Sequence, residues 1–170
     1  MSRATRTKLL LLAVALVTAF LIFVPRQSDE REARLTLERF ASMLTPSAGE
    51  APEAHVARLE RELPSFLASD VLVTLPSGES LAGREAVIAR ALALCRGQRP
   101  VIALRDLRAT RRAKDAVHLR FETVVSDSQV GDLHAALRTG EAELSKSDRG
   151  WLLHRLEVGA ERRAEPEPRP

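Results

Sequence analysis

The chain has no tyrosine and one cysteine, Cys95, among its 170 residues. A lone thiol excludes an internal disulfide and any paired-thiolate metal site. In an exported chain it could still pair between molecules. Ile88, Leu92 and Cys95 fall at helical spacing, however, so a buried, inert thiol is expected. The four histidines, His55, His118, His134 and His154, show no metal-ligand spacing. Glycine-rich phosphate loops and serine-hydrolase motifs are absent, and the two glycines of "LPSGESLAG" stand at turn positions. Nothing in the sequence calls for a metal or a cofactor.

A broad excess of charge is missing too. The formal net charge is +3, yet Arg3, Arg6, Lys8 and Arg26 flank the first hydrophobic run, and without them 22 basic residues face 23 acidic ones. The basic character therefore belongs to the N-terminal flank. Such a balance argues against nucleic acid as a partner, which needs a concentrated basic face. The local run Arg105, Arg108, Arg111, Arg112 and Lys114 is broken by Asp106 and Asp115 and reads as a solvated strand end and turn.

What is present begins with "LLLLAVALVTAFLIFV", Leu9 to Val24, an apolar run interrupted only by Thr18. As a helix it would span roughly 24 Å, slightly under the roughly 30 Å of bilayer hydrocarbon, a mismatch that snorkelling and thinning absorb. Residues 1–8 carry the positive charge before the run, and Asp29 and Glu30 follow it. The positive-inside rule then places the N-terminus in the cytoplasm and the rest outside. The run ends in bulky residues and Pro25, a poor site for signal cleavage. We expect residues 9–25 to form a transmembrane signal anchor in a bacterial inner membrane, with the following domain periplasmic.

Asp29, with Glu32 three residues on, reads as a helix start, and Ala33, Leu37, Phe40, Ala41 and Leu44 make one apolar stripe. A loop, "TPSAGEAP", leads to a second helix from about Pro52 to Leu63, ended by Pro64. "DVLVTLPSGESLAGREAVIAR" reads as strand, turn, strand and a third helix opening after Gly83. Four longer strands follow. The first has Val101, Ala103, Leu107 and Ala109 inward. In the second, Val117, Leu119, Phe121, Thr123 and Val125 alternate with a solvated row of His118, Arg120 and Glu122. The third, about Leu133 to Leu144, changes phase, which suggests a β-bulge near Thr139–Gly140. The last is Gly150 to Val158, and residues 159–170 read as a disordered tail. Helices first and strands last favour an α+β domain over residues 29–158: three helices in a curved, antiparallel four-stranded sheet plus a short hairpin.

This order, with "FLASDVLVTLPSGESLAGREAVIARAL" from Phe66 and "GWLLHRLEV" from Gly150, resembles the nuclear transport factor 2-like superfamily of SnoaL-like cyclases and ketosteroid isomerases. The resemblance implies a cone whose open mouth is the place to look for a site. It implies Phe40, Phe66, Leu75, Phe121 and Trp151 as lining. In the isomerases the base sits just before the hairpin proline, where this chain has Leu75, and their oxyanion tyrosine has no counterpart here. Leucine accepts no proton, and an enolate oxygen needs a positioned donor. The weaker acid–base candidates are Asp70, Asp106 and His154, the last expected on one face with Leu152 and Leu156. The layout resembles cell-envelope proteins, including type IV secretion components, in which a single anchor precedes such a domain. The expected function is a membrane-tethered, non-catalytic binding or assembly domain, with a homodimer through the sheet face or an envelope protein as partner. The alternatives are a SnoaL-like enzyme with an unrecognised acid–base pair, or a carrier of a small apolar ligand.

Overall fold

The computed structural model describes residues 28–97, 99–127 and 136–161. The expected anchor from Leu9 to Val24, the cytoplasmic flank, Leu133 to Ala135 and the tail beyond Glu161 lie outside the described residues. No helix among those described is long and apolar enough to cross a membrane.

Helix α1 covers residues 28–44 and buries Ala33, Leu37, Phe40 and Ala41 as expected from their spacing, with Met43 buried at the end of the stripe and Leu44 only half-buried. Helix α2, Pro52–Glu62, starts with proline in its first turn, where the missing N–H costs nothing. It inserts His55 and Leu59 and runs into a short 3-10 turn, Leu63–Ser65. Helix α3, Arg84–Gly97, buries Val87, Leu92 and Cys95. The strands are β1, Leu67–Thr74; β2, Ser80–Ala82; β3, Pro100–Ala113; β4, Ala116–Asp127; β5, Ala136–Ser147; and β6, Gly150–Glu161.

These strands form one six-stranded sheet in the order β2-β1-β6-β5-β4-β3. The expected separate hairpin is part of that sheet, and β1 runs parallel to β6, so the sheet is mixed. Gly78, at φ 84°, makes the β1–β2 turn, a conformation that a side chain disfavours. The strand β6 also extends to Glu161, three residues into the segment read as tail.

The concave face of the curved sheet packs on the helices. Its centre is a row of fully buried side chains, Val117 and Leu119 of β4, Leu144 of β5 and Leu153 of β6, against Leu59 and Leu63. Each buried leucine stabilises the fold by about 1.5–3 kcal/mol relative to exposure. One end of the cone is closed by charge. The Asp29 carboxylate of α1 meets Lys146 Nζ at 2.8 Å and Arg111 Nη1 at 3.1 Å. That carboxylate raises the Lys146 ammonium above its usual range. Lys146 Nζ also lies 5.8 Å from the Trp151 ring centre, and Trp151 Nε1 donates to Glu32 Oε2 at 3.4 Å. Arg111, read as part of a solvated run, is therefore a structural tie between β3 and α1.

Two phase changes differ from expectation. In β3, Arg105 pairs with Glu122 but Arg108 pairs with Arg120, so the extra residue lies in β3. Asp106, at φ 48°, occupies the left-handed conformation of that bulge. Ile102 and Leu104 face inward before it and Leu107 and Ala109 after it, while Val101 is 39% exposed. In β5, by contrast, the register with β4 is unbroken from Ala116–Ser145 to Val125–Ala136, so the predicted extra residue at Thr139–Gly140 is absent. The irregularities opposite β5 place the extra residues in β6, one of them next to His154. Leu137 pairs with Val124 on the outer face, and Arg138 takes the inward position opposite Thr123.

Candidate functional site

A cavity of about 490 Å³ opens between the sheet and the helices, at the end of the cone opposite Trp151. That volume lies within the usual range for small-molecule sites. From α1 it takes Leu37, Phe40 and Leu44; from α3, Val87, Ala91, Leu94 and Cys95; and from the hairpin, Leu75, Pro76 and Ser77. The sheet supplies Ile102, Leu104, Phe121, Thr123, Val125, Arg138, Leu156 and Val158. Among the described lining residues there is no carboxylate and no imidazole, and the only cations are Arg90 and Arg138. The cavity is thus an apolar cup with positive charge and one buried hydroxyl in its wall.

Its shape follows from the local sequence. Pro76 and Gly78 turn the chain sharply after Val73, which leaves Leu75 at the cavity wall; Leu75 N donates to Glu79 O at 2.8 Å. Arg84 Nε donates to Leu67 O at 3.0 Å and ties the start of α3 to the irregular part of β1. Gly140 leaves room for Phe121, its cross-strand partner, whose ring covers the bare Cα and borders the cavity. Burial raises the Cys95 thiol above its ordinary range.

Of the five residues expected to line a pocket, Phe40, Leu75 and Phe121 border this cavity. Phe66 instead packs on Phe40 with ring centroids 6.4 Å apart, and Trp151 belongs to the closed end. The three acid–base candidates lie outside the cavity. Asp70 and His154 do meet, Oδ1 to Nδ1 at 3.3 Å, but the Asp70 side chain is 76% exposed. Leu152 and Leu156, expected on one face with His154, lie on opposite faces because β6 carries its extra residue between them. Asp106 borders a charged groove on the outer sheet face with Arg108, Arg120, Glu141 and Glu157. In that face His118 is buried rather than solvated, with Glu141 and Glu143 oxygens 3.5 and 3.9 Å from its ring nitrogens. Sequence reasoning missed Arg90, Arg138 and Thr123. The inward parity of Thr123 was legible, but that of Arg138 required the true register of β5.

No protein-family model matches this sequence, and no curated protein matches it. Solved structures do resemble the fold. A protein of the NTF2-like group with a cystatin-like fold from Novosphingobium aromaticivorans superposes with a TM-score of 0.64 at 17% identity, over 88% of this chain and 92% of the other. A candidate dehydratase of the NTF2-like family from Streptomyces avermitilis gives 0.62 at 15%, over 79% and 97%. A candidate scytalone dehydratase from Novosphingobium aromaticivorans gives 0.58 at 14%, over 86% and 97%. At these identities the likeness is one of fold, and the chain has the nuclear transport factor 2-like fold.

Proposed function

We propose that this chain is a binding domain that holds a small, largely apolar molecule in its cone without acting on it chemically. The reading rests on one observation: an open cavity of about 490 Å³ whose described lining is apolar apart from two arginines, two hydroxyls and a thiol. Proton transfer at a carbon needs a base and a donor facing the substrate. The position that carries the base in the isomerases is Leu75, which lines the cup, and the Asp70–His154 pair lies outside it. The candidate dehydratases share the fold at 14–15% identity, which supports a small-molecule site in this cone without supplying a reaction. The apolar run at residues 9–25, two residues before the first described turn of α1, supports a domain held against a membrane. Resistance to extraction by alkaline carbonate would be expected of such a tether; release of the intact chain would contradict it.

The test is binding of N-phenyl-1-naphthylamine, a neutral apolar fluorophore, to the full-length chain and to Ala91→Phe. Ala91 is half-buried on the cavity wall, so a phenyl ring there occupies the cup. Saturable binding to the wild type, lost in A91F with its circular dichroism retained, is the expected result. Equal binding by both proteins would contradict the assignment.

A further inference from the structure

The polar groups of the cavity are gathered where Thr123 and Arg138 stand opposite one another in the β4–β5 register, both on the concave face. Thr123 is only 4% exposed, and its Oγ1 has no hydrogen-bond partner among the described residues. A buried hydroxyl without a partner is unfavourable unless something fills the position. Arg138 stands opposite Glu161 in the β5–β6 register, makes no ion pair among the side chains described, and shares the cavity with Arg90. Arg90 is compensated: its Nη2 lies 3.2 Å from Glu79 Oε2, while its Nε is buried without a partner. The described wall therefore presents two guanidinium groups and no carboxylate, together with an idle hydroxyl and an idle guanidinium N–H.

We infer that the cavity takes a monocarboxylate with an apolar body, its carboxylate at Arg138 and Thr123 and its body among Leu94, Leu104, Phe121 and Leu156. This rests on the binding reading above and goes further by giving the ligand a head and a charge. The guanidinium suits the head because its planar fork matches two carboxylate oxygens, and the low-dielectric wall strengthens that contact. Thr123 Oγ–H donates to the same group, which satisfies the buried hydroxyl. A neutral body of the same size would leave Arg138 facing an apolar filling, and a cation would meet it with repulsion.

Binding of dodecanoate and dodecyltrimethylammonium, each below its micellar concentration, and of dodecanol below its solubility limit is compared by calorimetry on the full-length chain held in an amphipathic polymer. The inference expects dodecanoate to bind at least about tenfold more tightly than dodecanol and the cation to bind weakest. Arg138→Gln should bring acid and alcohol to within about threefold of each other, and Arg138→Glu should favour the cation over the acid. Thr123→Val should weaken the acid more than the alcohol. The same preference for 2-naphthoate over 2-naphthol counts equally as support and assigns a ring-bodied ligand. If all three dodecyl probes bind alike, or if R138Q keeps the full acid preference, the inference is overturned while the apolar cup stands. If neither these probes nor N-phenyl-1-naphthylamine bind, the binding reading itself falls, and this one with it.

Discussion

Replacing Gly140 by alanine puts a methyl group where the Phe121 ring already lies. A Cβ built on Gly140 would stand 2.5 Å from Phe121 Cζ, 2.6 Å from Cε2 and 3.1 Å from Glu157 O. Carbon atoms prefer about 3.5–4.0 Å, so the ring must retreat by roughly 1 Å. Phe121 borders the cavity, and the cup is the open space into which it can move. Overpacking of this kind costs about 1–3 kcal/mol, while alanine recovers about 0.5–1 kcal/mol of backbone entropy lost by a strand glycine. A net destabilisation of about 1–2 kcal/mol is expected, read as a lower urea midpoint at unchanged m-value. Phe121→Leu removes the far ring atoms, so G140A should cost at least about 0.5 kcal/mol less in that background. G140A should also weaken N-phenyl-1-naphthylamine binding, because the displaced ring enters the cup. Additivity of the two substitutions, or a neutral G140A in the wild type, would refute the contact and with it this account of the cavity wall.

Three further outcomes follow from particular groups. The Arg58 guanidinium, 2.9 Å from Glu50, holds that carboxyl at about 2, with help from the Ser47 N–H. Because the folded value is depressed below the ordinary 4.5, the contribution is present above pH 4.5 and lost as pH falls toward about 2. Solvent at the pair's edge keeps it to on the order of 1 kcal/mol, and acid titration of Tm for wild type and Glu50→Gln should converge over that window; parallel curves would contradict it. Asp106→Val places a β-branched residue at φ 48° and should cost about 1–3 kcal/mol in urea melts, with Asp106→Gly near neutral; equal effects would remove the bulge's conformational demand. Cys95, buried with its thiol pushed up, should react with a disulfide reagent at least about tenfold more slowly in the native chain than in urea; equal rates would mean an open thiol.

Much of the fold was legible because its patterns were one-sided. The α1 stripe and the β4 row of Val117, Leu119, Phe121 and Thr123 each alternate against polar neighbours, so the apolar face is the one that packs on the core. At the start of β3 the run Val101–Leu104 is apolar throughout, and parity cannot choose between its faces. There the bulge went unread, because Val101 and Ala103 share the odd parity of Leu107 and Ala109, whereas the structure turns Ile102 and Leu104 inward before Asp106. In β5 the outward Leu137 imitated a phase switch where none exists. A single apolar residue on a solvated face is ordinary and carries no phase information. The hairpin and Leu75 were expected at the mouth of the cone, and they border the cavity. Its polar groups were not legible, because Arg138 and Thr123 come together only through the register of two strands.

Everything proposed for this chain requires that the cone hold an open apolar cup. Methyl-resolved NMR of the full-length chain, titrated with N-phenyl-1-naphthylamine, tests it most directly. Shifts are expected at Leu75, Leu94, Ile102, Leu104 and Leu156, and none at Leu67, Val117 or Leu153 in the packed centre. Shifts confined to outward residues such as Leu72 and Leu152, or no saturable shift at all, would contradict it.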